Sequence, residues 1–288
     1  MNDGQINRRD FVSATVGAGI AAASGAQLSG QDRVVETNVE IKTPDGTCDA
    51  AFIHPATGAH PAVIIWPDAF GLRPSMRDMA KRLVTEANYS VLVPNPFYRV
   101  GKGTFFEDAS KVDFAAERAK LTPLMGSIGA DGAVEKDAPA FVAWLDAQPS
   151  VDKTKKIGTQ GYCMGGALVV RTAAAVPNRI GAGASFHGGG LVTANPNSPH
   201  LLAPKIKARM YFGVAASDDT PNPDVKVKLR EAFESARVPV EVELYQQAQH
   251  GWCVPDMPIQ ANGQPTYNKA DAEKAWGKLL ALYKAGLV

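Results

Sequence analysis

The segment around one cysteine, which reads Thr159-Gln160-Gly161-Tyr162-Cys163-Met164-Gly165-Gly166, is the most informative part of the sequence. An apolar run, Ile157 to Gly161, precedes the cysteine, and a run of small residues with helical character, Ala167 to Val176, follows it. This layout predicts a strand, a sharp turn that carries a nucleophile, and a helix. Glycines flank the cysteine because a Cβ there would clash with the adjoining strand or helix. The positive end of the helix that follows favours the thiolate form of the cysteine. The alternative interpretation of this motif is a structural Gly-rich turn with a buried cysteine.

Outward from this turn, short apolar runs alternate with helical patterns along the rest of the chain. The predicted strands are Val39–Lys42, Ala50–His54, Ala62–Trp66, Ser90–Val93, Lys156–Gly161, Ala182–Phe186, Ala208–Val214 and Val240–Tyr245. The first two form a hairpin, and helical patterns separate most of the others. We therefore expect an α/β fold with a mostly parallel sheet of about eight strands, an antiparallel start and helices on both faces.

One segment, residues 97–130, interrupts this alternation with a mixture of aromatic residues, charges and glycines. A long connection at this place commonly covers a substrate site, so we expect an excursion over the active site. The length of 288 residues, with 45% hydrophobic and 20% charged residues, suits a single domain over residues 27–288.

Composition also limits the partners. The net charge of +1 makes no electrostatic case for nucleic acid or an acidic membrane surface. Scattered histidines and three cysteines form no metal-ligand cluster, so no metal or organic cofactor is expected, and a monomer is favoured. Cys253 lies three residues after His250, and a disulfide bond between Cys163 and Cys253 is therefore a further hypothesis.

The N-terminus has the pattern of a twin-arginine export signal over residues 1–26. Arg8 and Arg9 precede a short, weakly apolar stretch from Ser13 to Ala23, and small residues follow it. The stretch is too short to anchor the chain in a bilayer. We expect an exported or periplasmic protein that leaves the membrane after cleavage. The alternative is an N-terminal tail without a signal function, which would leave the protein in the cytoplasm.

Three reactive residue types follow predicted strands in the order nucleophile, acid, histidine. Cys163 comes first, then Asp218 and Asp219, and then His250. A thiol needs a base to take its proton, histidine has a suitable pKa for that transfer, and a carboxylate orients the imidazole. Because parallel strands end at one edge of the sheet, these side chains are expected to converge there. Either aspartate can be the acid.

On these residues the chain resembles the dienelactone hydrolase family, which has a cysteine nucleophile and the α/β-hydrolase fold. The resemblance rests on Gly161–Gly166, Ala248–Trp252, Asp219 with Pro223, Asp68–Pro74, and Pro94 through Arg99. The spacing of Asp219 and Pro223 favours Asp219 over Asp218 as the acid of the triad. The resemblance implies hydrolysis of an ester or lactone through a thioester.

The resemblance implies three further roles near the thiol. Asp68 occupies the position of a carboxylate that contacts the resting thiol, although the family usually has the longer glutamate there. Asp68 could instead cap backbone amides of its own loop. The backbone N–H groups of Met164 and Ala69 are the expected oxyanion donors.

The expected substrate contacts depart from the family pattern. Family members hold a substrate carboxylate with arginines, one of them shortly after the histidine, but the segment Gly251–Pro255 has none. Candidate replacements are Arg73, Arg99 and Arg118, which could instead be solvated at the surface. Phe70 and Trp252 either line an apolar pocket or pack under the loops.

The predicted function is therefore a carboxylic ester or lactone hydrolase with Cys163, His250 and Asp219 as its triad and Asp68 as a tuning group. One alternative is a broad carboxylesterase with the same triad and no carboxylate clamp. An alternative from another class is an exported binding protein without catalysis.

Overall fold

Eight strands form one sheet in the computed structural model, which describes residues 34–288. The strands are β1 (Val34–Thr43), β2 (Gly46–Pro55), β3 (Ala62–Trp66), β4 (Ser90–Pro94), β5 (Ile157–Tyr162), β6 (Ile180–Phe186), β7 (Arg209–Ala215) and β8 (Val240–Tyr245). Their order is β1-β2-β4-β3-β5-β6-β7-β8, with β1 and β2 antiparallel to their neighbours and the other pairs parallel. The predicted mostly parallel sheet with an antiparallel start is confirmed. The proposed signal, residues 1–26, lies outside the described residues.

The helices cover both faces of the sheet, as predicted. They are α1 (Pro74–Ala87), α2 (Arg118–Gly129), α3 (Ala133–Asp146), α4 (Met164–Ala175), the one-turn α5 (Ala216–Asp219), α6 (Asp224–Ser235) and α7 (Lys269–Gly286). Buried side chains of α1 and α7 belong to one apolar core. Those of α2, α3, α4 and α6 belong to a second core on the opposite face.

The central strand β3 shows why a continuous apolar run is needed between two cores. All five of its residues are buried. Successive side chains of a strand point to opposite faces. Ile64 and Trp66 accordingly lie in the core beneath α3 and α4, while Val63 and Ile65 lie in the core beneath α1 and α7. A strand with a polar face could not occupy this place.

The excursion at residues 97–130 is partly helical, because it contains α2 and a short 3-10 turn at Ala109–Lys111. Phe106 of this segment packs edge-on against Phe70 with ring centroids 5.7 Å apart. Ala109 donates its backbone N–H to Asp256 over 3.2 Å. The excursion therefore packs against the loop that follows β3 and the segment that follows His250. Over residues 34–288, no helix is long and apolar enough to span a membrane.

Candidate active site

Cys163 lies at a strained turn between β5 and α4. Its φ of 53° and ψ of −117° lie in the left-handed half of backbone space, which a side chain other than glycine rarely adopts. A Cβ on Gly161 would lie 2.2 Å from the carbonyl oxygen of Gly165, and one on Gly165 would lie 2.4 Å from that of Trp66. Both glycines are therefore required sterically. The thiol is partly exposed at the start of α4, as the sequence predicts.

His250 lies beside Cys163 and is held by Asp218. Its Nδ1 is 2.9 and 3.0 Å from the two carboxylate oxygens of Asp218. Its backbone N–H donates to the hydroxyl of Ser217 over 2.8 Å, which connects the His250 turn to the loop after β7. The Cys163 thiol is close enough to the His250 side chain to be one of the groups that raise its pKa. Because Asp218 occupies Nδ1, Nε2 faces the thiol.

The preference for Asp219 as the partner of His250 is wrong, because Asp219 pairs with Lys226 at 2.6 and 2.7 Å. Both aspartates belong to the one-turn helix α5. Successive residues of a helix point about 100° apart, so neighbouring side chains on one turn cannot face the same group. Asp218 faces His250, and Asp219 faces α6.

The electrostatics at His250 favour its protonated form. Burial opposes protonation, but the hydrogen bonds to Asp218 and Cys163 and the charges of both groups outweigh it and raise the pKa of His250 to about 10. A protonated imidazole stabilises a neighbouring thiolate. The arrangement therefore places a positively charged imidazole beside the nucleophile.

The two backbone groups predicted as oxyanion donors lie on adjoining segments. Met164 is the first residue of α4, where a backbone N–H has no intrahelical acceptor. Ala69 follows β3, and the close contact between Gly165 and Trp66 brings the end of β3 against the start of α4. The placement is compatible with both N–H groups pointing to one oxygen above Cys163.

Asp68 is not placed against the thiol. Its carboxylate oxygens accept two hydrogen bonds from Arg73, at 2.7 and 2.9 Å, and one from the backbone N–H of Phe70 at 2.9 Å. The second alternative for Asp68, a cap on its own loop, is thus what the structure shows. Asp68 is 1% exposed, so its charge is neutralised by Arg73 rather than by water.

Arg73 is a buried structural cation and not a free substrate clamp. Besides Asp68, it binds Asp256 with hydrogen bonds of 2.7 and 2.8 Å, and its side chain is fully buried. Burial alone would lower the pKa of Arg73, but the two carboxylates raise it. With both carboxylates bound, the guanidinium has little donor capacity left for a substrate.

The other two candidate arginines also lie away from the triad contacts. Arg99 binds Asp137 at 2.7 and 2.9 Å and Asp45 at 2.9 and 3.1 Å, which ties α3 to the turn between β1 and β2. It is therefore a structural residue. Arg118 is exposed at the first residue of α2, and its role in substrate binding stays a prediction.

Phe70 and Trp252 pack under the loops, which was the second alternative for them. Phe70 is 3% exposed and lies among the aromatic rings of the excursion. Trp252 is fully buried, with ring centroids 4.8 Å from Tyr245 and 5.3 Å from His187.

His187 is the residue that sequence reasoning missed. It follows β6 directly, is 1% exposed, and has a φ of 40°. Its Nδ1 lies 3.1 Å from the backbone nitrogen of Cys163, and its ring lies 4.8 Å from that of His250. The sequence feature that could have identified it is a histidine that follows a strand predicted next to β5 and precedes three glycines.

Two cavities lie near these residues. One, of about 300 Å³, is lined by His250, Asp218, His187 and Ser185. The larger, of about 500 Å³, lies between α1 and α7 and is lined in part by Cys253. Cys163 and Cys253 are both free thiols, so the structure lends the hypothesis of a bridge no support. Among residues 34–288, no group of His, Cys, Asp and Glu could hold a metal ion.

Comparison of the chain with known proteins identifies a family that it matches. The model of the dienelactone hydrolase family matches residues 48–287. A protein of Synechocystis sp., provisionally named a carboxymethylenebutenolidase, is 28% identical, with 81% of this chain and 89% of its own length aligned. The carboxymethylenebutenolidase of Rhodococcus opacus is also 28% identical, over 73% of this chain and 78% of its own.

A solved structure agrees in fold. The dienelactone hydrolase-like promiscuous phosphotriesterase from metagenomic libraries superposes with a TM-score of 0.70 at 22% identity, covering 89% of this chain and all of that one. A strained cysteine turn, a histidine and an acid at one edge of an eight-stranded sheet thus occur in a chain that the family model matches over most of its length. The protein belongs to the dienelactone hydrolase family.

Proposed function

We propose that this protein hydrolyses a carboxylic ester or lactone through a thioester on Cys163. The observation that carries the proposal is the contact of Asp218 with Nδ1 of His250, on a histidine whose pKa the neighbouring Cys163 also raises. It supplies a nucleophile, a base and an orienting carboxylate at the edge where the strands end. The names of the two relatives support the same class of reaction.

In the first half-reaction, the sulfur of Cys163 attacks the carbonyl carbon, and His250 carries the thiol proton. The carbonyl oxygen becomes an oxyanion, for which the N–H groups of Met164 and Ala69 are the donors. As the carbonyl re-forms, the C–O bond to the leaving oxygen breaks, and that oxygen takes the proton from His250. Asp218 holds the imidazole and stabilises its charge throughout.

In the second half-reaction, His250 takes a proton from water, and the resulting hydroxide adds to the thioester carbon. The C–S bond then breaks and the carboxylic acid leaves, while the proton that His250 took from water stays with the thiolate and imidazole and restores the starting state. Atoms and charges balance with water as the only co-reactant.

A broad carboxylesterase is favoured over an enzyme for carboxylated lactones by the state of the arginines. Arg73 and Arg99 are each bound by two carboxylates, so neither has the free fork that a substrate carboxylate would need. Arg118 is the remaining candidate. A panel of aryl esters and carboxylated lactones separates the two functions, because a clamp would give the charged substrates the higher kcat/KM.

The decisive experiment is mass spectrometry of the enzyme mixed with a para-nitrophenyl ester and quenched within one turnover. We expect an acyl adduct on Cys163, and no adduct and no turnover for Cys163→Ala with an unchanged circular dichroism spectrum. Turnover by Cys163→Ala would overturn the mechanism. A wild-type protein that binds the ester without adduct or turnover would instead be a binding protein.

The pH dependence of thiol alkylation tests the His250 contact separately. Because the pKa of His250 is raised to about 10, the imidazolium is present up to that pH and should keep Cys163 reactive. Alkylation by iodoacetamide should then change little between about pH 7 and pH 9. In His250→Gln it should rise over the same interval, like an ordinary thiol with a pKa of about 8.5.

We also propose that residues 1–26 direct export by the twin-arginine route, so that the protein acts in the periplasm. The proposal rests on the sequence pattern of that segment. N-terminal sequencing of the protein from periplasmic and cytoplasmic fractions tests it. A full-length protein confined to the cytoplasm would contradict export.

A further inference from the structure

The cavity beside His250 contains two buried polar atoms that have no partner in the described part of the chain. These are Nε2 of His187 and the hydroxyl oxygen of Ser185, and both residues are 1% exposed. Both residues line the cavity of about 300 Å³ that His250 and Asp218 also line. A buried polar group without a partner destabilises the folded state. Two such groups in one cavity that His250 also lines indicate a place where a ligand completes their hydrogen bonds.

The hydrogen bond at Nδ1 of His187 determines which tautomer the ring adopts. Nδ1 faces the backbone N–H of Cys163 at 3.1 Å and therefore acts as an acceptor. Burial, followed by the nearby charge of His250, holds the pKa of His187 well below its usual value, so the ring is neutral. A neutral imidazole that accepts at Nδ1 carries its proton on Nε2. Nε2 is thus a hydrogen-bond donor.

The second polar atom is confined by glycines. A Cβ on Gly166 or on Gly188 would each lie 2.3 Å from the hydroxyl oxygen of Ser185. Glycine backbone thus packs closely on two sides of this hydroxyl, and Ser185 meets open space where it lines the cavity. The Ser185 hydroxyl can donate one hydrogen bond.

The charges around the cavity are already paired, because His250, whose pKa is raised to about 10, lies against Asp218, and Lys226 lies against Asp219. Asp218 and Asp219 both line it. Asp219 binds Lys226 through both carboxylate oxygens, so that this cation is already neutralised. The donors of His187 and Ser185 are uncharged. The cavity is therefore suited to a neutral oxygen acceptor and not to a carboxylate.

We propose that this cavity is a substrate subsite in which His187 Nε2 and the Ser185 hydroxyl donate to a neutral oxygen of the substrate, such as an ether, carbonyl or hydroxyl oxygen. The proposal rests on the proposed hydrolase function and specifies its substrates. They are esters or lactones with a second, uncharged oxygen near the scissile bond. His187 and Ser185 determine specificity, and the triad performs the reaction.

The test uses pairs of esters that differ by one oxygen in place of a methylene. One pair varies the alcohol, methoxyethyl acetate against butyl acetate, and the other varies the acid, methyl methoxyacetate against methyl butyrate. The readout is the ratio of kcat/KM within each pair, compared between variants so that intrinsic reactivity cancels. A change confined to one pair identifies which side of the ester enters the cavity.

Two variants remove the donors while sparing the nucleophile turn. Ser185→Ala removes a hydroxyl without an internal partner, and His187→Asn keeps an acceptor near the Nδ1 position and tolerates a positive φ. Each should lower the oxygen-to-methylene ratio of at least one pair by about three- to tenfold, the value of one neutral hydrogen bond. Thr159→Val is the matched control. Its hydroxyl is also buried without a partner among the described residues, but Thr159 does not line the cavity.

The outcomes separate this inference from the proposed function. Unchanged ratios in both variants, with a thioester still formed on Cys163, would overturn the subsite and leave the hydrolase intact. Absence of any ester turnover by the wild-type protein would instead overturn the hydrolase. A higher kcat/KM for monomethyl succinate, which carries a carboxylate, than for dimethyl succinate would contradict the preference for a neutral oxygen.

Discussion

Asp218 and Asp219 are adjacent residues of the same type, yet they bind different partners. Asp218 binds His250, and Asp219 binds Lys226. Both carboxylates are hydrogen-bonded and partly exposed. The difference arises from their positions on the single turn of α5, which points one toward the site and the other toward α6.

We therefore expect Asp218→Asn to lower kcat by about three to four orders of magnitude, because an amide does not hold the imidazole in the required tautomer or stabilise its charge. Asp219→Asn is the matched control and should keep kcat within about threefold, because it affects only an ion pair with α6. Steady-state hydrolysis of a para-nitrophenyl ester measures both. Equal losses in the two variants would contradict the assignment.

The turn that carries Cys163 also depends on His187. Neither the composition nor the order of residue types along the chain could identify this residue. Its ring nitrogen accepts the N–H of Cys163, and its ring packs between His250 and Trp252. A lone histidine before glycines has many possible uses, and only the fold brings it under the nucleophile. The strained φ of both Cys163 and His187 is maintained by this packing.

At the element scale, the connection between β5 and α4 depends on close backbone approach. The helix begins directly after Cys163, and Gly165 touches the end of β3. This contact sets the thiol beside the loop that carries Ala69.

Replacing a glycine by alanine should change the free energy of unfolding in opposite directions at two positions with different surroundings. Gly161→Ala should lower the free energy of unfolding by about 3 kcal/mol, because its Cβ would lie 2.2 Å from a backbone oxygen that cannot move independently. Gly277→Ala, in the exposed middle of α7, meets no atom within 4 Å and should raise it by about 0.5–1 kcal/mol. Urea unfolding measures both. A neutral Gly161→Ala would show that the turn can relax.

At the scale of the whole molecule, one buried cation joins three segments that are distant in sequence. Arg73 binds Asp68 from the loop after β3 and Asp256 from the segment after His250, and Asp256 also accepts the N–H of Ala109 in the excursion. The resulting Asp68–Arg73–Asp256 cluster fixes the walls around the site relative to one another. It binds no substrate in this role.

Loss of this cation should destabilise the whole protein. Arg73→Met leaves Asp68 buried without a counter-ion, so we expect the free energy of unfolding to fall by about 3–5 kcal/mol. Arg77→Met, one turn further along α1, breaks a half-exposed pair with Glu36 and should cost no more than about 1 kcal/mol. Urea unfolding at neutral pH measures both. A loss below about 1 kcal/mol for Arg73→Met would contradict the stabilising role of this cation.

The succession of strands and helices, the cysteine turn with its required glycines, and the proposed catalytic histidine could be predicted from the sequence. These follow from local chemistry, since a continuous apolar run forms a buried strand, and a side chain at a tight turn needs glycine beside it. The choice between Asp218 and Asp219, the pairing of Asp68 with Arg73, and the contact of His187 with the backbone of Cys163 arise only in the folded chain. Those outcomes depend on which charges meet across loops distant in sequence, and the residue types alone are compatible with several pairings.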